Sequence, residues 1–510
     1  MSEGETVTVP AGEDEPRRTD PKGFLVKAVS GLGQAALPIA AGLYGSGMIA
    51  AGILAVVPIL LAIMAASLGL SWLAWHRLTY RTGSDDIRVE QGILSRSARS
   101  VPYERIQDVS IEQKFLPRLF GLAQVKFETG AGGKEEIALT YLSLEEAQRV
   151  RRLVRDRREG AREASGEAVI SAEPEENAQA LFAMDEKRVF TFGLFEFSLV
   201  IFAVLLGAAQ QFDFLLPFDI WEWENWAGIL GGQRDWIEHS SRAAQAFALL
   251  GGLLGVIALG SITGLVRTFA REYGFVLERT DRGFRRRRGL FNRSDVTLPA
   301  HRVQAALVGT RLVRSRFGWH SLKFVSLARD DAGSSSHVVA PFAKLEEIWP
   351  LVREAGIAPP PQGLDWRRPM ADPWVAEAVV GIAIALAAGI GVSIAIGSLL
   401  PFGIALAAIG LIALGSYISW RRHRHAHDAR QVYTRKGSLA PLLAVASQVK
   451  LQSVEIVQGP LARWRGYATL NLGLAGGTLD IPGLPVEVAR ELRREIVARI
   501  AEVDFSELPG

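Results

Sequence analysis

Between Ala28 and Trp75 the chain carries no charged side chain. That run is too long for a buried helix of a soluble domain, but it accommodates two membrane-spanning helices of about 20 residues each. Gly45-Ser46-Gly47 marks the break between them. Two more apolar regions come later in the chain, one over 190–210 and 243–266 and one over 378–420, the latter dividing near Leu400-Pro401. The economical reading is six spanning helices in three hairpins. Arg17, Arg18, Lys22 and Lys27 precede the first hairpin, and Arg77 and Arg81 come after it. Arg267 and Arg271 flank the end of the second, and Arg421, Arg422 and Arg424 that of the third. The loop inside the second hairpin is acidic and holds Trp221, Trp223, Trp226 and Trp236. Basic flanks stay on the cytoplasmic side and tryptophans settle at interfaces, so both termini and all segments between hairpins are expected in the cytoplasm.

The segment after each hairpin is a repeat. Residues 92–129 recur without a gap at offsets of 197 and 345. The first copy contains Gly92, Pro102-Tyr103-Glu104-Arg105-Ile106-Gln107, Gly121 and Val125-Lys126-Phe127. The second contains Gly289, Pro299-Ala300-His301-Arg302-Val303-Gln304, Gly318 and Leu322-Lys323-Phe324. The third keeps Gly437, Gln452, Gly466 and Leu470-Asn471-Leu472, but places Ser447 at the proline and Lys450 at the arginine. Apolar residues alternate within each copy (Val109 and Ile111; Ala123, Val125 and Phe127), which predicts short antiparallel strands. Turns are expected at 130–133 and 330–333. Each copy should close with a helix. Ser143 and Glu146 suit a capping box for the first. Val488, Leu492, Ile496 and Ile500 form a stripe in the last. Pro350 is expected to delay or kink the second.

This combination of apolar hairpin, Gly-apolar-Leu, Pro-x-x-Arg-Ile-Gln, Leu116-x-Arg118-x-x-Gly121, strand and closing helix resembles the bacterial pleckstrin-homology (PH) membrane proteins of the YdbS/YdbT type. Three hairpins with three repeats resemble the longer, YdbT-like branch. The resemblance implies a bacterial inner-membrane protein in which each repeat is a small PH-like β-barrel closed by a C-terminal helix. The fold class expected is thus membrane α-helical hairpins plus α+β. The domains expected are a disordered polar tail at 1–22, hairpins at 23–75, 189–268 and 374–420, and repeats at 76–156, 269–355 and 421–503. A charged linker (157–188) and a proline-rich one (356–373) separate them.

Several clusters qualify as sites. Arg285, Arg286, Arg287 and Arg288 precede Gly289 close to the membrane, where they either grip anionic headgroups or guard a strand edge. Pro102, Arg105, Gln107, Gly121, Pro299, Arg302, Gln304, Gly318, Gln452 and Gly466 recur, which points to a shared fold requirement rather than a ligand. Gly381, Ala385, Gly389, Ser393 and Gly397 make one small-residue helix face suited to close packing in lipid, and Gly251, Gly255, Gly260 and Gly264 repeat the device. His423, His425 and His427 alternate as zinc ligands would, but Arg421, Arg422 and Arg424 crowd them with positive charge, so a basic juxtamembrane stretch is the expectation and a metal is not. Glu196 is a carboxylate inside an apolar span.

The absence of cysteine removes disulfides, thiol catalysis and cysteine-held metals. No nucleophile–base set stands out, and no cofactor or nucleic-acid partner is expected. The role expected is a non-enzymatic scaffold binding lipid headgroups or proteins at the inner leaflet, in support of envelope integrity or stress resistance. Membrane proteins, or a second copy through the transmembrane helices, are further candidate partners. A transporter or lipid-transfer component is the alternative. Reporter fusions after Arg81, Arg271 and Arg424 should read out cytoplasm and one within 219–236 the opposite side; an outside signal from any repeat would contradict the three-hairpin topology.

Overall fold

The computed structural model describes residues 15–31, 53–92, 95, 97–129, 137–164, 179–197, 242–281, 283–326 and 335–502. Parts of the first two predicted hairpins (32–52 and 198–241) and the turns at 130–133 and 330–333 lie outside the described residues. Among the described residues, three helices are long and apolar enough to cross a membrane: Leu250–Glu272, Asp372–Ile396 and Leu400–Arg422. A fourth helix, Ile53–Arg77, carries no charge before its last turn. The expected continuous span over 190–210 is interrupted. Asp185 caps a helix at Glu186–Leu194 by accepting from the Arg188 amide at 3.1 Å, and residues 195–197 are not helical.

The strands explain the repeat. In chain order they are β1 (Arg17–Arg18), β2 (Thr79–Thr82), β3 (Asp86–Gln91), β4 (Ser97–Pro102), β5 (Ile106–Gln113), β6 (Leu122–Thr129) and β7 (Ile137–Ser143) for the first copy. Then come β8 (Gln179–Ala183), β9 (Val276–Thr280), β10 (Gly283–Arg288), β11 (Arg293–Pro299), β12 (Ala305–Gly309), β13 (His320–Val325) and β14 (Ser336–Ala343). The third copy has β15 (Arg424–His427), β16 (Gln431–Lys436), β17 (Leu442–Ser447), β18 (Ser453–Val457), β19 (Tyr467–Leu474) and β20 (Gly477–Pro485). Every copy therefore makes three strands, a 3-10 turn, three more strands and a helix, with an extra short strand (β1, β8) ahead of the first two copies.

The turn is the Pro-x-x-Arg word. Pro102 and Pro299, with φ of −59°, start the 3-10 helices Tyr103–Arg105 and Ala300–Arg302. Ser447 does the same for Gln448–Lys450. A ring that fixes φ suits this position because the N–H it removes has no helical partner. Gly121, Gly318 and Gly466 end the short helix after β5, β12 and β18, with φ of 72°, 67° and 73°. A residue with a Cβ is strained in that left-handed conformation.

The chain divides into two compact units, one comprising 1–176, 183–276 and 287–297, the other 177–182, 277–286 and 298–510. In the first unit β1-β2-β3-β4 form one sheet, and β7-β6-β5 continue into β11 of the second copy. Tyr80, Ile87, Val101, Tyr103, Val125, Phe127 and Leu139 pack with Ala147, Val150 and Val154 of the helix Leu144–Ala164. Burying each large side chain is worth roughly 1.5–3 kcal/mol. In the second unit β14-β13-β12 continue into β17-β16-β15 of the third copy, and β18-β19-β20 form a separate sheet. Its core joins Ala305, Ala444, Ala446, Leu470 and Leu472 to Leu492 and Ile496 of the helix Val486–Ala501.

The closed barrels expected for the repeats are thus not formed. The sheets are open, because the edge of each second half-sheet (β5, β12) is taken by a strand of the following copy (β11, β17) rather than by a strand of its own. Three smaller expectations also change. Residues 17–18 are ordered: Arg17 and Arg18 pair with Tyr80 and Thr79, and Trp75 Nε1 donates to the Thr19 carbonyl at 2.9 Å. The helix of the first copy runs on to Ala164, into the predicted charged linker. The helix Leu345–Glu354 begins five residues before Pro350, so the proline sits in its interior rather than delaying its start.

Helices Asp372–Ile396 and Leu400–Arg422 pack along the small-residue face. A Cβ on Gly389 would lie 2.4 Å from Ala405 Cβ and one on Gly381 would lie 3.4 Å from Ile412, while nothing lies within 4 Å of Gly391. Ser393 Oγ accepts from the Phe402 amide at 3.0 Å, and Gly397 caps the first helix with φ of 69°. Ile384, Ile394 and Leu411 point away from the pair, 65%, 78% and 70% exposed. Gly389→Leu should therefore separate the pair, cost on the order of 1 kcal/mol or more of stability and lower the detergent melting temperature; Gly391→Leu should leave it unchanged, and equal melting of the two would remove this seam.

Candidate functional site

Where the helix Leu400–Arg422 leaves the apolar region, its last turn meets the proline-rich segment 356–371. The sequence imposes the meeting: Arg367 exchanges two backbone hydrogen bonds with His425 (2.9 and 3.0 Å), and the Met370 amide donates to the Gly483 carbonyl at 2.8 Å. Trp420 Nε1 donates to the Pro369 carbonyl at 3.0 Å and its ring lies under the Arg368 guanidinium, 5.0 Å from the centroid. Trp374 Nε1 donates to Ser419 Oγ at 3.1 Å. These rings form an aromatic layer of the kind found at a membrane interface.

The result is an open cleft of about 470 Å³ lined by Arg368, Tyr417, Ile418, Arg421, Arg422 and Arg424. Among the described residues no carboxylate lines it. Nearby acids are engaged elsewhere: Asp365 with Arg367 at 2.9 Å, Asp372 with Arg465 at 2.7 Å, and Asp480 with Lys436 at 2.9 Å. Burial, and then repulsion from Arg368 and Arg421, push the Arg424 guanidinium below the ordinary arginine range. An anion placed here would relieve that repulsion, and guanidinium forks match phosphate oxygens in pairs. Arg421, Arg422 and Arg424 were visible in the sequence as a flanking cluster. Arg368 was not, because it lies in a linker far away in the chain.

The arginine run at 285–288 does not present four cations to one surface. Strand alternation on β10 separates them. Arg286 is buried, its Nη1 donating to the Val338 carbonyl at 3.2 Å. Arg288 pairs at 3.1 Å with Glu272, a buried carboxylate that Arg271 also holds at 2.7 Å. Arg287 alone of the four is fully on the surface.

Nor do the histidines converge. His423 caps the helix Leu400–Arg422 and packs against Trp374 with ring centres 4.7 Å apart. His425 is buried, and burial followed by the Arg367 charge lowers it to about 4. His427 Nε2 is 3.3 Å from Glu495. Among the described residues no group of three His, Cys, Asp or Glu is placed to hold a metal ion.

Two of the polar residues at repeat positions, Gln304 and Lys450, sit at the joint between the second and third copies. Gln304 Oε1 accepts from the Ala475 amide at 2.6 Å. Lys450 Nζ donates to the carbonyls of His301 at 3.0 Å and Val303 at 2.7 Å, and burial lowers its amine. Gln452 contributes its backbone amide to the Gly473 carbonyl at 2.8 Å. Arg105 is exposed, Arg302 is half-buried, and Gln107 lies on β5. Glu196 falls in the helix break at 195–197, and its carbonyl occupies the space where Gly264 would carry a Cβ. Gly260 likewise admits the Phe197 ring, whereas a Cβ on Gly251 or Gly255 would meet nothing within 4 Å among the described residues.

Comparison with known proteins gives three matches to one family model, that of the bacterial PH domain, over residues 33–158, 243–354 and 378–500. The chain is also similar to the UPF0699 transmembrane protein YdbT of Bacillus subtilis (strain 168), at 26% identity over 268 residues. That alignment covers 51% of this chain and 52% of the relative, so it spans about half the length of each.

Proposed function

This chain belongs to the bacterial PH domain family, and we propose that it is a non-enzymatic membrane scaffold that holds anionic lipid headgroups in the cleft of Arg368, Arg421, Arg422 and Arg424. The observation that carries the proposal is the position of the cleft. It opens beside Tyr417 and Trp420 at the end of an apolar helix, where phosphates of a bilayer would lie. Each arginine near an anionic surface contributes about 1 kcal/mol, and among the described residues no carboxylate lines the cluster. In this reading the three hairpins supply six spans and keep both termini and all three repeats on the cytoplasmic side, as the basic flanks favour. The repeats then lie against the leaflet that carries the negative surface potential. Support of the envelope is the proposed physiological role.

The test is anionic phospholipid retained by the purified full-length protein. Arg368→Gln with Arg421→Gln should weaken retention of phosphatidylglycerol by roughly thirtyfold, the effect of about 1 kcal/mol per arginine. Arg287→Gln should change little. Equal retention by wild type and the double variant would contradict the cleft, and loss with Arg287→Gln instead would move headgroup binding to β10.

A further inference from the structure

The two joints between repeats are the same joint. At the first, β11 pairs antiparallel with β5, placing Ser294 opposite Glu112 and Asp295 opposite Ile111. At the second, β17 pairs antiparallel with β12, placing Ala446 opposite Ala305, Ala444 opposite Leu307 and Leu442 opposite Gly309. By the repeat offsets, β11 and β17 are both counterparts of β4, and β5 and β12 are both counterparts of β18. Transferred by those offsets, both joints define a single register between β18 and β4. Ser453 faces Val101, Glu455 faces Arg99, and Val457 faces Ser97.

These are the strands left over. Among the described residues, β4 ends the sheet β1-β2-β3-β4 and β18 ends the sheet β18-β19-β20. Ser97, Ala98, Arg99 and Ser100 are exposed, as are Ser453, Glu455 and Val457. The counterparts of Arg99, Ser100 and Ser453 at the second joint, Ala444, Val445 and Ala305, are buried. Open edges of this kind are templates for strand addition. The register sets Glu455 directly opposite Arg99, and opposite charges so placed stabilise a strand pair. Neither residue has an ion-pair or side-chain hydrogen-bond partner among the described residues. The polar face of β18 is no obstacle. The first joint already uses Ser110 and Glu112 at the positions of Glu455 and Val457, and both are buried there.

We propose that the occupant of these edges is a second copy of the chain: β18 of one copy pairs with β4 of the next in the register of the internal joints, so that the protein assembles head to tail. The contact is heterologous, and its repetition gives a ring where the rotation closes and a filament where it does not. Membrane anchorage confines the copies to one plane, which raises their effective concentration.

The chain has no cysteine, so introduced thiols report unambiguously. Full-length protein with Ser97→Cys and Val457→Cys, oxidised in native membranes, should give a ladder of disulfide-linked multimers. Facing residues of an antiparallel pair are within the reach of a disulfide. Differently tagged Ser97→Cys and Val457→Cys single variants, co-expressed, should give only the mixed dimer. Ser97→Cys with Ser453→Cys, four residues out of register, should give no ladder. Arg99→Glu should suppress the crosslink several-fold and Glu455→Arg added to it should restore the crosslink. Gly309→Cys with Leu442→Cys, facing across the second joint, is the positive control for oxidation and folding. With that control crosslinked, the absence of multimers, or a disulfide confined to single chains, would overturn the assembly.

Discussion

Antiparallel pairing between strands of successive repeats is the constraint on which this architecture rests. A small sheet that ends in β12 leaves a row of amides and carbonyls with no partner, and such a row is costly wherever it is shielded from water. The first and second repeats meet that demand with the counterpart of β4 from the next copy. A backbone hydrogen bond adds only about 0.5–1.5 kcal/mol net, so the ladder alone would hold weakly. The burial that accompanies it is larger. Ala305, Ala444 and Ala446 join one core with Leu470, Leu472 and Leu492, and Asp295 reaches Arg151 at 3.5 Å across the first joint. The Pro-x-x-Arg turn places β5 and β12 beyond their own first sheet, where the next copy can take them.

Much of this was legible from the residues. The gap-free repeat, the strands alternating at Val109, Ile111, Ala123 and Val125, and the glycines ending the short helices at 121, 318 and 466 all arise from local patterns. Pairing between repeats did not, since period-two alternation reports which face is buried and says nothing about which strand lies alongside. One signal was present. The segment Leu442-Leu443-Ala444-Val445-Ala446 is continuously apolar, as a strand covered on both faces should be, while its counterpart Ser97-Ala98-Arg99-Ser100 is polar. The contrast marks the second joint only, because β11 begins Arg293-Ser294-Asp295 and still pairs with β5. The arginine run at 285–288 misled for a related reason. Four adjacent charges read as one patch, but a strand sends alternate side chains to opposite faces, and Arg286 and Arg288 serve the fold.

The basic cleft and the strand joints belong to one logic. The proline-rich segment that carries Arg368 is fixed by its bridge to β15, and β15 lies in the sheet that β12 and β17 hold together. Headgroup recognition in this account uses arginines from two distant segments, positioned by a sheet that spans two repeats. Loosening the joint between β12 and β17 would therefore be felt at the membrane surface.

The most direct measurement of that dependence is residue-resolved amide hydrogen exchange of the full-length protein in detergent micelles, read at Ala305–Gly309. A strand hydrogen-bonded on both sides, as β12 is between β13 and β17, should show protection at every one of these amides, comparable to that of β13. Alternate protected and rapidly exchanging amides would mark β12 as an edge. That result would return the repeats to separate domains and contradict the account.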